Sequence, residues 1–146
     1  MAESRPWAAG ELLLGPDTGS GPLVALTEPL SFWGGVDEKT GTIIEARHPQ
    51  FGVCLAKTAL LISATRGSSS SSSTFLECIR RGTAPTLVLL TAPDPMLVTA
   101  AAAAWEIYGR SPSIVLLSEP ADAAGVSAVQ LEATGAVLAL ASGPVS

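Results

Sequence analysis

The sequence predicts a mixed α/β domain with a compact sheet or barrel and two main helices. Three short apolar segments around Leu61, Leu89 and Val115 are separated by two segments of helical pattern, as in parallel strands joined by helices. Before and after them, apolar segments are joined only by turn residues, which is typical of antiparallel strands. The chain has 146 residues, 47% of them hydrophobic, which suits one domain with a substantial core. We therefore expect residues 1–146 to form a single domain.

Composition predicts a protein that binds neither nucleic acid nor a membrane. The net charge is −5, and the largest basic cluster is the pair Arg80 and Arg81. Nucleic acid binding needs a basic face, and this chain offers none in its sequence. The longest weakly polar stretch, residues 96–105, is shorter than the roughly 20 apolar residues that cross a bilayer. Residues 1–10 do not have the pattern of a secretion signal.

The low charged fraction predicts a partner chain. Only 14% of the residues are charged, and the mean hydropathy is +0.42. A surface this poor in charge is expected to be covered in part by another protein.

The two cysteines and the single histidine do not predict a metal site or a catalytic histidine. Cys54 and Cys78 lie far apart in sequence and in no metal-binding spacing, so we expect reduced thiols in a cytoplasmic protein and no metal bound by this chain. His48 is the only histidine, and no orienting partner lies near it in sequence. We expect it to have a structural role.

The first third of the chain predicts strands and turns. Residues 11–15 and 22–26 are apolar segments joined by a turn rich in Pro, Asp and Gly, and we interpret them as a strand pair. Trp33 follows Phe32 and precedes two glycines, and we expect its ring in the core. Residues 42–44 resume a strand after a turn.

The central segment, residues 60–82, predicts a buried strand, a turn and a helix with both ends encoded. Residues 60–62 are apolar, and the six serines at residues 68–73 lead into a helix whose apolar positions share one face. Serine is a good N-cap, and Arg80 and Arg81 with Gly82 are typical of a helix C-terminus. A helix N-terminus lined with hydroxyls is a candidate site for a carboxylate or phosphate. Two plainer interpretations stay open, a flexible serine linker and serines that only cap the helix.

The last part of the chain predicts an alternation of strand and helix followed by a hairpin. Residues 86–90 and 113–117 are strands of the buried type, and the alanine-rich residues 97–108 between them are helical. Residues 126–131 and 137–140 form a closing hairpin.

Four longer motifs together resemble the small subunit of the aconitase X family. They are EPLSFWGGVD at residues 28–37, GTIIEARHPQFG at 41–52, RGSSSSSS at 66–73 and GTAPTLVLL at 82–90. The resemblance implies a swivelling β/β/α domain, like the mobile swivel domain of aconitase, that closes over an active site held mainly by a separate large subunit.

The same resemblance implies a function. Family members are dehydratases (hydro-lyases): bacterial two-subunit forms convert cis-3-hydroxy-L-proline to Δ1-pyrroline-2-carboxylate and water, and archaeal forms act on mevalonate 5-phosphate. Iron or an iron–sulfur cluster is bound mainly by the large subunit. The serine after the glycine turn is the proton acceptor, which is Ser68 here, with Arg66, Gly67 and Ser69 as substrate-binding neighbours. Aconitase is similar at this point but has an arginine where this chain has Ser70, so whether Arg66 replaces that arginine stays open.

A different class of function also stays open. Swivelling domains serve as phosphohistidine carriers, which here would use His48, and as non-catalytic swivel or interaction modules. A dehydratase depends on Ser68 and a carrier on His48, so substitution of each residue distinguishes the two.

Overall fold

The computed structural model describes residues 4–63, 65 and 70–140. Two helices and nine strands are assigned within these residues. In chain order they are β1 Ser4–Leu14, β2 Gly19–Ala25, β3 Val36–Asp37, β4 Thr42–Ile43, β5 Ala59–Ile62, α1 Ser70–Arg81, β6 Leu87–Leu90, α2 Pro95–Tyr108, β7 Ser113–Leu117, β8 Ala128–Leu131 and β9 Ala136–Leu140.

Seven of these strands close into a barrel in the order β1-β7-β6-β5-β2-β8-β9, and β3 and β4 form a small separate sheet. β2, β5, β6 and β7 run parallel to one another, while the remaining pairs of the barrel are antiparallel. The predicted mixed sheet with a parallel middle is confirmed, and so is the closing hairpin, which is β8 and β9.

The predicted pairing of the first two strands is wrong. β1 pairs with β9 along its first half and with β7 along its second half, while β2 lies between β5 and β8. The switch of partner within β1 occurs near Gly10, where a Cβ atom would lie 2.4 Å from the carbonyl oxygen of Leu116. A glycine at this position lets the backbones approach closely, so barrel closure overrides the local turn signal.

The parallel strands are buried on both faces because they separate two apolar cores. Leu60 and Ile62 of β5 belong to the core between the barrel and the helices, whereas Ala59 and Leu61 belong to the core inside the barrel. This two-sided burial explains why these strands are continuous apolar runs rather than alternating ones.

The aromatic pair predicted from sequence divides between core and surface. Phe32 is buried and meets Phe75 of α1 edge to face, with 5.1 Å between ring centroids. Trp33 is 65% exposed, so the prediction that it lies in the core is wrong. Because Phe32 fills the space beneath the loop and Gly34 turns the backbone at φ +75°, the Trp33 ring lies outside.

The predicted C-terminus of α1 is confirmed. Arg80 and Arg81 occupy its last turn, and Gly82 adopts φ +78° directly after it. Both arginines donate to the Glu77 carboxylate at 2.6 to 2.8 Å. These hydrogen bonds lower the pKa of Glu77 to about 2, and the largest contribution comes from Arg80. The pairs are solvent-exposed, so we treat them as minor for stability.

Candidate functional site

The candidate site lies at the carboxyl ends of the parallel strands. β5 ends at Ile62 and α1 begins at Ser70, while β6 ends at Leu90 and α2 begins at Pro95. Because β5 and β6 are parallel neighbours, both connections leave the same end of the barrel, and both helices begin there. This end is where ligands bind in many parallel α/β sheets.

The predicted site residues themselves lie outside the described residues. These are the predicted proton acceptor Ser68 and the predicted substrate-binding residues Arg66, Gly67 and Ser69. The structure describes the elements on both sides of this segment, and the roles of the four residues stay predictions.

Asp94 connects the two helix entrances. Its side chain is 5% exposed, and one carboxylate oxygen, Oδ1, accepts from the backbone N–H groups of Met96 and Leu97 at 3.1 and 3.2 Å, which caps α2. The other oxygen, Oδ2, accepts from the backbone N–H and the hydroxyl of Thr65 at 2.8 and 2.7 Å. Asp94 therefore holds the last described residue before the 66–69 segment against the start of α2.

Thr65 is held on its other side by the loop that carries the exposed Trp33. It forms a parallel bridge with Leu30, which is fully buried. The point where the chain leaves β5 is thus fixed by backbone pairing and by Asp94 together.

The N-terminus of α1 is built from serines and docked on α2. Residues 70–73 form its first turn, which contains no acidic residue. Ser71 is buried, and the Ser72 hydroxyl donates to the carbonyl oxygen of Met96 at 3.0 Å. The positive end of the α1 dipole therefore remains uncompensated by carboxylates of its own first turn, which favours the binding of an anionic group at this end of the helix.

Three exposed apolar side chains form what we call the Trp33 surface, defined by Trp33, Ile44 and Phe51. The Ile44 N–H donates to the Gly35 carbonyl at 2.8 Å, which joins the Trp33 loop to the end of β4. The Gly52 N–H donates to the Ile43 carbonyl at 2.8 Å, which joins the turn that carries Phe51 to the same end of β4. Since the Trp33 loop also contains Leu30, the Trp33 surface adjoins the candidate site.

His48 has the structural role expected from the sequence. It is 4% exposed, its Nδ1 accepts from the Gln50 backbone N–H at 3.0 Å, and its Nε2 lies 3.2 Å from the Glu28 carbonyl oxygen. This pattern assigns the proton to Nε2, which then donates to Glu28. Because both ring nitrogens have partners and the ring is buried, the geometry disfavours a phosphohistidine carrier.

The donor set of the described residues does not fit an iron or iron–sulfur group. No cluster of three or more His, Cys, Asp or Glu side chains occurs within residues 4–63, 65 and 70–140. Cys54 is exposed and Cys78 is buried, and both are free thiols. Burial raises the pKa of the Cys78 thiol to about 11, which keeps it protonated and a poor metal ligand near neutral pH.

Within residues 4–63, 65 and 70–140, neither helix has the length and apolar character needed to cross a bilayer.

These features define a class of protein. A closed mixed barrel, with two helices that begin together at the carboxyl ends of its parallel strands, is a β/β/α swivel domain. Residues 9–138 match the aconitase X swivel domain, and the chain belongs to this family.

Two curated relatives carry related names. The chain is 43% identical over 115 residues to cis-3-hydroxy-L-proline dehydratase of Pseudomonas aeruginosa, a match that covers 79% of this chain and 18% of the relative. It is 37% identical over 83 residues to the phosphomevalonate dehydratase small subunit of Methanothermobacter thermautotrophicus, covering 57% of this chain and 63% of the relative. The match thus spans under a fifth of the first relative and under two thirds of the second.

The fold is also that of a solved family member. The holo-form crystal structure of Thermococcus kodakaraensis aconitase X matches with a TM-score of 0.76 and 21% identity, covering 94% of this chain and all of that chain. The likeness confirms the predicted fold class.

Asp94 and Thr65 are not among the site residues predicted from the sequence. The APDP sequence at residues 92–95 predicts the end of the preceding strand. Asp directly before Pro and an apolar helix is also an N-cap signal, so the cap could have been predicted. The bonds to Thr65, 29 residues away, have no local sequence signal.

Proposed function

We propose that this chain is the small, swivelling subunit of an aconitase X dehydratase whose substrate is cis-3-hydroxy-L-proline. The observation that carries the proposal is the 43% identity over 115 residues to the Pseudomonas enzyme of that name, in a chain whose fold brings the serine-rich helix start to the carboxyl ends of its parallel strands. We further propose that the protein is cytoplasmic, in keeping with its two free thiols.

In the proposed reaction, the substrate loses its α-proton and the hydroxide of the neighbouring carbon. Ser68, as its alkoxide, accepts the α-proton, and the C–O bond of the neighbouring carbon breaks. The departing hydroxide takes up one proton from solvent and leaves as water, and the resulting enamine tautomerises to Δ1-pyrroline-2-carboxylate. A serine is a base only when its alkoxide is stabilised, and helix N–H donors with a nearby cation do this. Arg66, two residues before Ser68, is the proposed cation that stabilises the alkoxide. Arg66, Gly67 and Ser69 are the proposed substrate-binding residues.

We assign any iron or iron–sulfur cofactor to the large subunit. The described residues of this chain do not supply a fitting donor set. The matched segment accounts for 18% of the Pseudomonas relative, so most of that enzyme has no counterpart here. An aconitase X large subunit is the partner expected to provide the remainder of the active site.

A second substrate, mevalonate 5-phosphate, is favoured by one observation. The match to the Methanothermobacter phosphomevalonate dehydratase small subunit covers 63% of that relative, whereas the match to the Pseudomonas enzyme covers 18% of it. The identity is lower and the match shorter, which is why we place this substrate second.

Activity of the reconstituted complex tests the proposed function. The 146-residue chain is co-expressed with the aconitase X large subunit of the same genome, and each substrate is supplied separately. We expect turnover of cis-3-hydroxy-L-proline by the complex and none by the chain alone. Turnover of mevalonate 5-phosphate instead selects the second substrate. A stable complex that dehydrates neither compound contradicts the enzyme assignment and favours an interaction module.

The Trp33 surface is the proposed contact with the large subunit. It adjoins the candidate site, and burial of an exposed tryptophan at an interface frequently contributes most strongly to binding. We expect Trp33→Ser to weaken the complex about tenfold or more, measured by isothermal titration with the large subunit. Trp105→Ser is the matched control, since Trp105 is also exposed but lies on α2. Equal weakening by both variants would contradict this assignment.

A further inference from the structure

A second concave site lies at the opposite end of the barrel from residues 66–69. It is a pocket of about 370 Å³, bounded by the C-terminal end of α1 and by the residues that precede β5, β6 and β7. Ile79 and Gly82 line it from α1, and Thr86 and Ser113 line it from the strand starts. A helix of 12 residues is about 18 Å long, so this pocket is well separated from the start of α1.

The pocket is lined by positively charged side chains, although the chain as a whole carries a net negative charge. Lys57 and Arg110 line it, and none of the described residues that line it is acidic. In a protein of net charge −5 with 13 Asp and Glu and 8 Lys and Arg, this arrangement concentrates cations in one cavity. Two cations beside a largely apolar wall that includes proline, alanine and isoleucine suit a ligand with an anionic group on an apolar body.

Lys57 has an unusual backbone for its residue type. Its φ is +61°, and it is the only described residue other than glycine with a positive φ. Its N–H donates to the Ala84 carbonyl at 3.0 Å, and no described residue pairs with its exposed ammonium group. Left-handed backbone is uncommon for residues other than glycine, asparagine and aspartate, so the structure holds Lys57 in a less favoured conformation at the pocket.

Arg110 is fixed in place with donors to spare. Its Nη2 donates to the carbonyl oxygens of Arg80 and Ile79 at 2.8 and 3.4 Å, and its guanidinium lies 5.7 Å from the Tyr108 ring centroid. A guanidinium has five N–H donors, and these contacts use only those of Nη2. The N–H groups of Nε and Nη1 remain, and each can donate a charge-assisted hydrogen bond to a carboxylate oxygen.

The carbonyl end of α1 also faces this region and by itself disfavours an anion. Its last carbonyls already have donors, since Gly82 N–H donates to Ile79, Thr83 N–H to Cys78 and Arg110 to Arg80. Three of the last four carbonyls of α1 are therefore hydrogen-bonded, and Lys57 adds a positive charge that none of these carbonyls contacts.

We propose that this pocket binds a small molecule with one carboxylate on an apolar ring or chain, with the carboxylate between Lys57 and Arg110. A carboxylate is favoured over a phosphate because the hydroxyls of Thr86, Ser111 and Ser113 donate to backbone carbonyls. Few donors then remain beyond the two cations, too few to satisfy the oxygens of a phosphate. The proposal does not depend on the proposed dehydratase function.

Titration of the 146-residue chain with benzoate, followed by amide NMR shifts, tests the proposal. We expect saturable shifts at Gly19, Gly82 and Thr86 with a Kd on the order of 1 mM, as suits a ligand of this size. Benzamide, which has the same shape without the charge, and inorganic phosphate should each bind at least about tenfold more weakly.

Charge variants locate the binding group. Lys57→Gln should weaken benzoate about fivefold, and Lys39→Gln, an exposed lysine outside the pocket, should leave it unchanged. Arg110→Gln should weaken it about tenfold and serves as the second variant. Lack of saturation up to about 20 mM, equal loss in the Lys39 variant, or equal binding of benzamide or phosphate would each overturn the proposal.

Discussion

Ser68→Ala is expected to lower kcat of the reconstituted complex by about 10²- to 10⁴-fold while KM changes little. The proposed role of the hydroxyl is proton acceptance in the transition state, so its removal takes away an interaction that the bound substrate does not need. The rate of dehydration and the solvent deuterium exchange at the substrate α-carbon are the two measurements. The dehydration rate and the exchange rate should fall together, since each depends on removal of the same proton.

The neighbouring serines provide graded controls for this experiment. Ser73 is exposed in the first turn of α1, and Ser73→Ala should leave kcat and stability nearly unchanged. Ser72→Ala should keep its activity but lose about 1 kcal/mol of stability, because the Ser72 hydroxyl donates to Met96 of α2. If Ser68→Ala keeps more than about a tenth of the wild-type kcat, the serine is a helix cap and the base lies on the large subunit.

Asp94→Ala is expected to lower the free energy of unfolding by about 3 kcal/mol. The substitution removes the N-cap of α2 and leaves the two Thr65 donors without their acceptor, in a side chain position that is 5% exposed. For a chain of 146 residues, this corresponds to a fall in Tm of roughly 10 °C. Urea denaturation of the isolated chain measures the change.

The two functions of Asp94 can be separated. Thr65→Val removes only the hydroxyl bond and should cost about 1 kcal/mol. Asp122→Ala is the matched control, because Asp122 is exposed and its carboxylate accepts one backbone N–H, that of Ala124. It should cost less than about 1 kcal/mol. A similar loss in the Asp94 and Asp122 variants would show that the Thr65 bonds contribute nothing to stability.

Activity gives Asp94 a second readout. If the anchor on Thr65 orients the segment that follows, the complex containing Thr65→Val should show a reduced kcat at a temperature where its fold is intact. Unchanged kcat in that variant would limit the role of Asp94 to the stability of α2.

Periodicity and end signals are sufficient to predict the helices and most strands. The predicted helix at residues 97–108 corresponds to α2, and the strand predicted at residues 113–117 is β7 with the same bounds. Gly82 and the two arginines before it encode the end of α1 locally, because a left-handed residue and favourable charges act within one turn. The RGSSSSSS motif likewise indicates the connection after β5 without any structural input.

What the sequence by itself determined is therefore the inventory of elements, the family resemblance and the serine segment proposed as the site. Only the tertiary structure decided that β1 joins β7 to β9, that Trp33 lies outside while Phe32 lies inside, and that Asp94 holds Thr65. The physical reason is the sequence separation over which each kind of interaction acts. Helix propensity, capping and turn signals act over a few residues, whereas strand pairing, exposure and buried carboxylate contacts depend on which distant segments barrel closure brings together.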